Sequence, residues 1–259
     1  MPYIETAVRS HPGIIRRNNE DNYYLNGVYM HIGEGNTDSL CDKKCYDKHQ
    51  LYAVCDGMGG MNNGDAASLL VVTRLAELLH AGIRGLPRLL QESINDMCAA
   101  LQSLCDDGNP AGCTLAMVYI DGSRICVANL GDSRVYFKRG KLNLTQVTED
   151  HSQAIWLTKQ GVLTTEEAET HPSRNVLYRF IGAKSQEGST PDISDAMRLR
   201  RGDIFLLCSD GLSNLIDAYE MDAEIIKGQS NADICRSLVD LALVRGGEDN
   251  ITALMIRAV

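Results

Sequence analysis

The spacing of apolar positions changes along the chain, and each change marks a different kind of element. Over residues 65–83 and 86–105, apolar side chains recur every three or four positions, which predicts two long helices, with Pro87 in the first turn of the second. From residue 112 the apolar runs become short, and turn-forming pairs such as Asp-Gly separate them. This pattern predicts an antiparallel meander with strands at 114–120, 124–130, 135–138 and 142–147.

Strand-like runs also occur earlier, near residues 3–8 and 23–28, and a continuous apolar run follows at 51–55. The polar stretch 33–50 contains Gly and Asp, and it is expected to form a long surface hairpin or loop. No internal repeat, low-complexity tract or long linker interrupts the sequence. The first half therefore predicts strands on either side of a polar excursion.

After the meander, the chain is predicted to continue with a polar, mixed region and then with a block of strands and helices. Residues 150–191 are weakly apolar, with short helical patterns at 153–160 and 165–170, and they resemble a peripheral subdomain. Two strands follow, then helices near 218–227 and 232–244, and a closing strand. Because strands and helices occur in blocks and do not alternate strictly, the pattern predicts an α+β fold in which helix pairs cover antiparallel sheets.

Carboxylates stand at the ends of three of the buried runs. One run leads into Asp56, a second ends just before Asp210, and Asp249 shortly precedes the closing strand at 251–256. Neighbouring strands would bring these carboxylates to one edge of a sheet, where a cation relieves their mutual repulsion. Oxygen ligands of this kind suit Mg²⁺ and Mn²⁺. The sequence therefore predicts a metal-dependent hydrolase.

Composition narrows the class of protein. The 259 residues are 44% hydrophobic but only 5% aromatic, which suits a folded protein with a mainly aliphatic core. The net charge of −9 argues against nucleic acid or an anionic membrane as the main partner. No apolar stretch is long enough to cross a bilayer, and residues 1–17 lack the pattern of a signal peptide, so a cytoplasmic location is expected.

The nine cysteines are scattered, and several lie in apolar runs where a thiol packs as a small hydrophobic group. Cys41 and Cys45 are the exception, because they lie in the polar stretch. A zinc site there needs two more ligands, for which His31 and His49 are the nearest candidates, at irregular spacing. The favoured interpretation is a pair of solvent-facing free thiols.

The three carboxylates belong to a series of seven short motifs. The order of these motifs along the chain is the most specific indication of function in the sequence. They are the motifs at 16–21, 56–60, 112–114, 128–134, 148–152, 208–212 and 248–250. Each is common alone, but together they resemble the protein phosphatase 2C (PP2C) family of metal-dependent protein serine/threonine phosphatases, in its bacterial form. The resemblance covers nearly the whole chain. It implies a single phosphatase domain over 1–259, built as a β-sandwich of two antiparallel sheets flanked by pairs of helices, with 150–191 as the family's flap.

The resemblance also assigns metal ligands. Asp56 would bridge two metal ions, and the backbone carbonyl of Gly57 would bind one of them, while Asp210 and Asp249 would bind the other. Asp132, with Asp210, matches a third and weaker metal position in bacterial members. Read without the family, Asp132 is also suited to a hairpin turn or a cap, so that alternative stays open.

Three further residues match positions around the metals. Glu20 and Asp21 would hold metal-bound waters, and Arg16 has the spacing of the family's phosphate-binding arginine. Arg17 takes that role if the register shifts by one residue. A guanidinium is suited to it because it grips two phosphate oxygens at once, which lysine cannot do.

These roles imply hydrolysis of phosphoserine and phosphothreonine by a hydroxide that bridges two Mn²⁺ or Mg²⁺ ions, with a third ion as an option and no phosphoenzyme. Two ions about 3.5–4 Å apart lower the pKa of a shared water and stabilise charge on the phosphoryl oxygens. The sequence contains neither a Cys-x5-Arg phosphatase loop nor an aspartate-nucleophile motif. The implied partners are phosphorylated proteins, among them a serine/threonine kinase whose action is reversed, and the protein is expected to be a monomer.

Three departures from the family pattern leave open points. Met58 stands where many eukaryotic members carry a histidine proposed as general acid, so the leaving alcohol needs another proton source, such as a metal-bound water. Residues 61–65 lack a histidine and a glutamate that relatives often carry, and 34–50 is longer than expected. A phosphoprotein-binding module without activity and a small-molecule phosphohydrolase are the alternatives, and the intact carboxylate set favours an enzyme over the first.

Overall fold

The structure of the chain, a computed structural model, describes residues 2–31, 38–59, 63–103 and 111–259. These residues form two antiparallel β-sheets that face each other, and helices cover the outer surface of each sheet. The predicted fold, a sandwich of two antiparallel sheets flanked by helices, is therefore confirmed.

In the described residues, sheet A has six strands. Its order is β3 (Ser39–Cys45), β1 (Ile4–His11), β13 (Ile251–Ala258), β12 (Asp203–Cys208), β8 (Arg134–Arg139) and β9 (Thr145–Gln146). Strands β1 and β13 pair along their full length, from Ile4 opposite Ala258 to His11 opposite Ile251. The centre of sheet A is thus made from residues far apart in sequence.

Sheet B has β4 near its centre. Its order is β10 (Asp192–Ile193), β7 (Arg124–Leu130), β6 (Leu115–Asp121), β4 (His49–Met58) and β2 (Asp21–Leu25), with β11 (Met197–Arg198) beside β7 and β5 (Gly112–Cys113) beside β4. Alternate residues of β4 face opposite sides, as in any strand. Leu51, Ala53 and Cys55 pack toward helices, whereas Tyr52 and Val54 face sheet A. Both faces are buried, which explains the continuous apolar run.

Two helix pairs complete the layers. Helices α1 (Gly64–Leu75) and α2 (Gly82–Ser103) pack on sheet B, and α6 (Ala218–Ile226) and α7 (Asn231–Val244) pack on sheet A. The short helix α5 (Asp210–Ser213) follows β12 directly. Helices α3 (Gln153–Lys159) and α4 (Thr165–Thr170) lie in the 150–191 segment, close to their predicted positions.

The boundary between the first two helices differs from the prediction. The apolar pattern over 65–83 predicts one helix, but α1 ends at Leu75 and a short 3-10 turn, Ala76–Leu78, follows. Helix α2 begins at Gly82, four residues before the predicted start, because the N–H of Gly82 donates to the Tyr119 hydroxyl at 3.1 Å. Pro87 therefore lies beyond the first turn of α2. Residues 104–105 of the predicted helix lie outside the described residues.

The polar excursion contains a strand where a hairpin or loop was predicted. Strand β3 pairs with β1 at the edge of sheet A, β4 begins at His49, and residues 33–37 lie outside the described residues. The prediction of two solvent-facing thiols is wrong for Cys45, which is 2% exposed. Cys41 lies four strand positions away, about 13 Å at the usual rise. That separation rules out a shared zinc ion.

Smaller differences have local causes. Strand β2 ends at Leu25, earlier than predicted, because Asn26 and Gly27 adopt positive φ angles of 45° and 96° and turn the chain. Of the predicted strand 142–147, only Thr145–Gln146 pairs with β8. Between residue 191 and the helices that follow, the structure has three strands where two were predicted, and two of the three are only two residues long. None of the described helices combines the length and apolar character needed to cross a membrane.

Candidate metal centre

Asp56 lies near the end of β4, opposite Asp21 at the start of β2. The buried strand before it fixes the direction in which Asp56 points. Its backbone is held from the other side by Thr114, because the Asp56 N–H donates to Thr114 Oγ1 at 2.9 Å and the Thr114 N–H donates to the Asp56 carbonyl at 2.9 Å. The backbone that carries the Asp56 carboxylate is thus held by neighbouring residues on both sides.

Gly57 allows an unusually close approach of three chain segments. A Cβ atom on Gly57 would lie 1.9 Å from the carbonyl oxygen of Gly64, the first residue of α1. A Cβ atom on Gly64 would in turn lie 2.4 Å from the carboxyl carbon of Glu20. The Gly57 N–H donates to the Glu20 carbonyl at 3.1 Å. Only glycine fits at position 57, where the close atoms are backbone, and a side chain at position 64 would displace the Glu20 carboxyl group that now lies against the start of the helix.

Sheet A supplies Asp210 and Asp249 to the same place. Asp210 follows β12 and Asp249 precedes β13, so both lie at one end of two antiparallel neighbours. Asp210 Oδ2 accepts a hydrogen bond from Asn214 at 3.1 Å, and its carboxyl is also within hydrogen-bonding reach of Asp56. The two sheets therefore bring carboxylates from residues 56 and 210 into contact.

Asp132 lies in the turn between β7 and β8. The preceding Gly131 has a φ of +110°, and a Cβ atom there would lie 2.7 Å from Cγ2 of Thr114. Ser133 contacts the same threonine through a hydroxyl–hydroxyl distance of 2.7 Å. The turn is thus packed directly on the residue that holds Asp56, which places Asp132 near the other carboxylates.

His151 fastens this turn to the 150–191 segment. Its side chain is fully buried, Nδ1 accepts a hydrogen bond from the Gly131 N–H at 3.0 Å, and Nε2 lies 3.0 Å from Oδ2 of Asp192. Because Nδ1 accepts, Nε2 carries the proton and donates to Asp192. Burial lowers the pKa of His151, so its role is that of a neutral connector.

One cavity of about 350 Å³ joins these groups. Among the described residues, its walls carry five carboxylates and one guanidinium: Arg16, Glu20, Asp56, Asp132, Asp210 and Asp249. Gly57, Met58 and Gly59 form the adjoining wall, and Asn175 and Leu177 of the 150–191 segment complete it. Asp21 is 1% exposed and lies behind this wall, so it does not line the cavity.

Four of the carboxyl groups that line the cavity have raised pKa values in the absence of a cation. Burial, followed by repulsion from neighbouring carboxylates, raises the pKa of Asp56 well above its ordinary value. The same causes raise the pKa of Asp132 to about 8 and also raise the pKa of Asp210. Burial likewise raises the pKa of Glu20. The cavity therefore disfavours ionised carboxylates unless positive charge is supplied.

Arg16 is the cation that the chain itself supplies. Its Nη2 donates to Asp249 Oδ2 at 2.9 Å, and both side chains are substantially exposed, with 53% and 39% of their surface accessible. Arg17 is exposed at the same rim and does not line the cavity. The geometry thus favours Arg16 over Arg17 as the residue that faces the carboxylates.

Sequence reasoning missed the polar network beneath the cavity. Asp21 Oδ2 accepts hydrogen bonds from Ser209 Oγ and Thr252 Oγ1, each at 2.7 Å. Thr252 also contacts Ser10 at 2.8 Å, and Ser10 accepts from Asn19 at 2.8 Å. Because Asp21 belongs to sheet B and its partners to sheet A, this network sets the position of one sheet against the other. A threonine inside the apolar run 251–256 was the available signal.

Asn250 was also missed, although it holds the loop that carries Arg16 and Glu20. Its Oδ1 accepts from the Glu20 N–H at 2.7 Å, and its Nδ2 donates to the carbonyls of Pro12 and Asn18, each at 2.9 Å. The side chain is 5% exposed. Its position directly after Asp249 was the only sequence signal.

The donor set fits divalent cations. Asp21 Oδ1 is buried without a hydrogen-bond partner among the described residues, and the cavity carries a large excess of negative groups. Hard cations such as Mg²⁺ and Mn²⁺ take carboxylate, carbonyl and water oxygens. No three acidic, His or Cys side chains of the described residues converge on one point as a ready metal site, and Asp249 is engaged by Arg16. The side chains must therefore draw together to hold an ion.

Comparisons with known proteins agree with this geometry. The sequence pattern of protein phosphatase 2C matches residues 29–238. A serine/threonine phosphatase stp from Listeria innocua serovar 6a is 33% identical over 98% of this chain and 95% of its own. The structure of the S. agalactiae serine/threonine phosphatase matches with a TM-score of 0.83 and 28% identity over 99% of this chain and 100% of its own. The catalytic domain of the phosphatase PstP, in complex with two manganese ions, matches with a TM-score of 0.75, 28% identity and 99% coverage of both chains.

Proposed function

This chain belongs to the protein phosphatase 2C family, a family of serine/threonine phosphatases, and we propose that it removes phosphate from phosphoserine and phosphothreonine in proteins by metal-assisted hydrolysis. The observation that carries the proposal is the convergence of carboxylates from both sheets on one open cavity. A structural ion-pair network needs matching cations, and here one guanidinium of the described residues faces five acidic groups. Such an excess suits a site that binds metal ions.

We assign the metal ligands as the resemblance implies. Asp56 and the carbonyl of Gly57 would hold one ion, Asp56, Asp210 and Asp249 a second, and Asp132 with Asp210 a third. Bound Mn²⁺ or Mg²⁺ supplies an activated water and neutralises charge on the phosphoryl group. The solved structure of the PstP catalytic domain in complex with two manganese ions supports two of these positions.

The remaining residues position the reactants. Arg16 lies at the open side of the cavity, where its guanidinium exchanges Asp249 for two oxygens of an incoming phosphate. Glu20 lines the cavity from the opposite direction and would hold water by its carboxyl group. Asp21, with one free oxygen, keeps β2 in place beneath Asp56. Met58 carries no titratable proton, so the leaving alcohol takes its proton from water in the cavity.

We also propose a physiological setting, which rests on the similarity to serine/threonine phosphatases and on the chain's net negative charge. Substrates are phosphorylated proteins, including a serine/threonine kinase and that kinase's targets. We propose that residues 1–259 act as one catalytic unit, with 150–191 as a flap beside the cavity, in a monomeric protein of the cytoplasm. Asn175 and Leu177 at the cavity wall support the flap assignment.

The test is phosphate release from a phosphothreonine peptide, measured with Mn²⁺ and with EDTA, for wild type and Asp210→Ala. Turnover that requires both the metal and Asp210 is the expected result. Folded wild-type protein that binds Mn²⁺ and the peptide without turnover would instead identify a phosphoprotein-binding module. Turnover of nucleotides but not of the peptide would identify a small-molecule phosphohydrolase.

A further inference from the structure

A second, larger cavity of about 710 Å³ opens directly from the metal centre. The two cavities share Asp132, Asn175 and Asp210 on their walls. The larger one runs between the 150–191 segment and the body of the protein, from β8 to the start of α6. Its volume lies within the range of binding sites for extended ligands. We call it the side groove.

When a phosphorylated side chain occupies the metal centre, the polypeptide that carries it lies at the mouth of the smaller cavity. The side groove is a continuous path along which such a polypeptide can lie. Its walls offer apolar surface at Ile155, Ala168 and Ala218, which suits contact with an extended backbone and its side chains. The groove is thus continuous with the site that the chemistry requires a substrate to occupy.

The charge of the side groove is asymmetric. Among the described residues, six carboxylates and two guanidinium groups line it. Arg134 is fully engaged by Asp150 through three hydrogen bonds of 2.6–3.0 Å, and Glu149 pairs with Lys159 from outside the groove at 2.9 Å. The opposite charges within each pair cancel. The charge of the outer part of the groove therefore depends on its other ionisable groups.

Two carboxylates remain available on opposite walls. In the described part of the chain, no ion pair engages Glu169 of α4 or Asp217 before α6. Asp217 caps α6 through one oxygen, which accepts the Glu220 N–H at 2.9 Å, and Arg174 donates to the backbone carbonyl of Glu169 rather than to its side chain. Both carboxylates are exposed. The nearby Arg245 interacts with the charge of Asp217 but gives its hydrogen bonds to Glu220 and to the carbonyl of Leu215, so neither carboxylate group has an arginine or lysine of the described residues bound directly to it.

The other rim of the metal centre has the opposite character. Arg17 is exposed there beside Arg16, and it follows Ile14 and Ile15, which are 62% and 68% exposed. A basic flank of a substrate would meet repulsion on this side and attraction in the side groove. The two sides of the metal centre therefore distinguish the two flanks of a phosphorylated residue.

We propose that the side groove holds the polypeptide on one side of the phosphorylated residue and selects substrates with lysine or arginine there. The proposal rests on the proposed phosphatase function, since it names the class of substrate for the same site. Glu169 and Asp217 act as specificity-determining residues outside the metal centre.

Three phosphothreonine peptides test the proposal: one with two arginines before the phosphothreonine, one with two arginines after it, and one neutral. The measurement is kcat/KM for each peptide with Mn²⁺ at 0.15 M salt, where distant charges are screened. The expected result is a preference for arginines on one flank only, by about threefold to tenfold over the neutral peptide, as two exposed ion pairs would give. Equal effects of both flanks, or none, would overturn the proposal.

The variants Glu169→Gln and Asp217→Asn tie the preference to the groove. Asn keeps the cap of α6, because Asn and Asp are equivalent at this position. The double variant is expected to lose the preference for the basic flank while its turnover of 4-nitrophenyl phosphate, which is too small to reach the groove, stays unchanged. Glu166→Gln, the same change on α4 but outside the groove wall, is the control and keeps the preference.

The outcomes separate the two proposals. Failure of wild type to hydrolyse any peptide, and 4-nitrophenyl phosphate as well, would refute the phosphatase proposal. Hydrolysis of all three peptides at similar rates would leave the phosphatase proposal intact and refute the side-groove proposal. Retention of the preference in the double variant, or its loss in Glu166→Gln, would also refute the groove assignment.

Discussion

Asp21 illustrates how a residue outside the cavity determines the position of those inside it. It is almost fully buried and accepts two hydroxyl hydrogen bonds from the opposite sheet. Because its strand neighbour is Asp56, the network beneath it fixes the distance between the carboxylates of the two sheets. Replacing such a partner leaves buried polar atoms unsatisfied, which costs about 1–3 kcal/mol for each atom.

The sequence predicted the cavity residues because their signal is local. Asp56 and Asp210 each follow an apolar run of strand length, and the end of a buried strand is where a side chain reaches a sheet edge. Ser209, Thr252 and Asn250 were not predicted, because their roles depend on partners distant in the sequence. Asp21 is expected to hold a metal-bound water, and that stays a prediction; the structure places its side chain behind the cavity wall with Oδ1 unbonded among the described residues.

Arg16 provides the prediction at this scale. Arg16→Ala removes the charge that grips phosphate, so the KM for a phosphopeptide is expected to rise by about tenfold to a hundredfold, the range for a charge-assisted hydrogen bond. It also releases Asp249, so affinity for Mn²⁺, measured by calorimetry without substrate, is expected to increase. Arg16→Lys is the control, since it keeps the charge but not the two-point grip. Unchanged KM in both variants would assign the phosphate contact to another residue.

At the scale of elements, two strands of the meander were predicted more accurately than the boundary between the first two helices. The short strands β6 and β7 follow apolar runs bounded by turn pairs, and they lie within one residue of their predicted ends. The break between α1 and α2 is set by a tertiary contact, the Tyr119 hydroxyl at the start of α2, which the spacing of apolar residues does not reveal. The edge strand β3 was missed because four of its seven side chains are polar and its apolar and polar residues do not alternate.

The connection between the Asp132 turn and the 150–191 segment is tested through His151. His151→Ala removes two buried hydrogen bonds, so the free energy of unfolding, measured by urea denaturation, is expected to fall by about 1–3 kcal/mol. Turnover of a phosphopeptide is also expected to fall, because the turn that carries Asp132 loses its fixed position. Asp192→Asn keeps an acceptor for Nε2 and serves as the control, with a smaller loss of stability. An alanine variant with wild-type stability would show that the turn is held by other contacts.

At the scale of the whole molecule, the layered fold followed from the order of elements, since strands and helices come in blocks. What the order did not reveal is the pairing within sheet A, where β1 and β3 from the start of the chain join four strands from its second half through the pairing of β1 with β13. That pairing places Asp249 and Asp210 side by side and brings them to Asp56. The site is therefore a property of the two sheets together rather than of any one motif.

Without metal, the whole molecule is expected to lose stability as pH rises. Burial and repulsion raise the pKa of Asp21 to about 7 and of Asp132 to about 8, above the ordinary value of 3.8 that the unfolded chain has. The folded state therefore binds these protons more tightly, and the stability they provide, present below pH 4, is lost between pH 4 and pH 8. Thermal unfolding in EDTA across this range measures the effect.

Saturating Mn²⁺ is expected to reverse that loss at pH 8, by about 2.7 kcal/mol at a hundred times the dissociation constant. Asp56→Asn is the matched variant, and it should be more stable than wild type in EDTA at pH 8 and gain less from Mn²⁺. Equal stabilisation of both proteins by Mn²⁺ would place the ion elsewhere.

The pairing of β1 with β13 has a consequence for how the protein is made. Strand β1 is synthesised well before β13, its partner in sheet A, which follows more than two hundred residues later. Contacts between such distant segments slow folding, because a long loop must close before they contribute stability. Sheet B, whose strands β4, β6 and β7 are closer in sequence, is suited to form first during translation. The nascent protein would therefore acquire Asp210 and Asp249 only after β12 and β13 have been synthesised, and the carboxylate set of the cavity is incomplete until then.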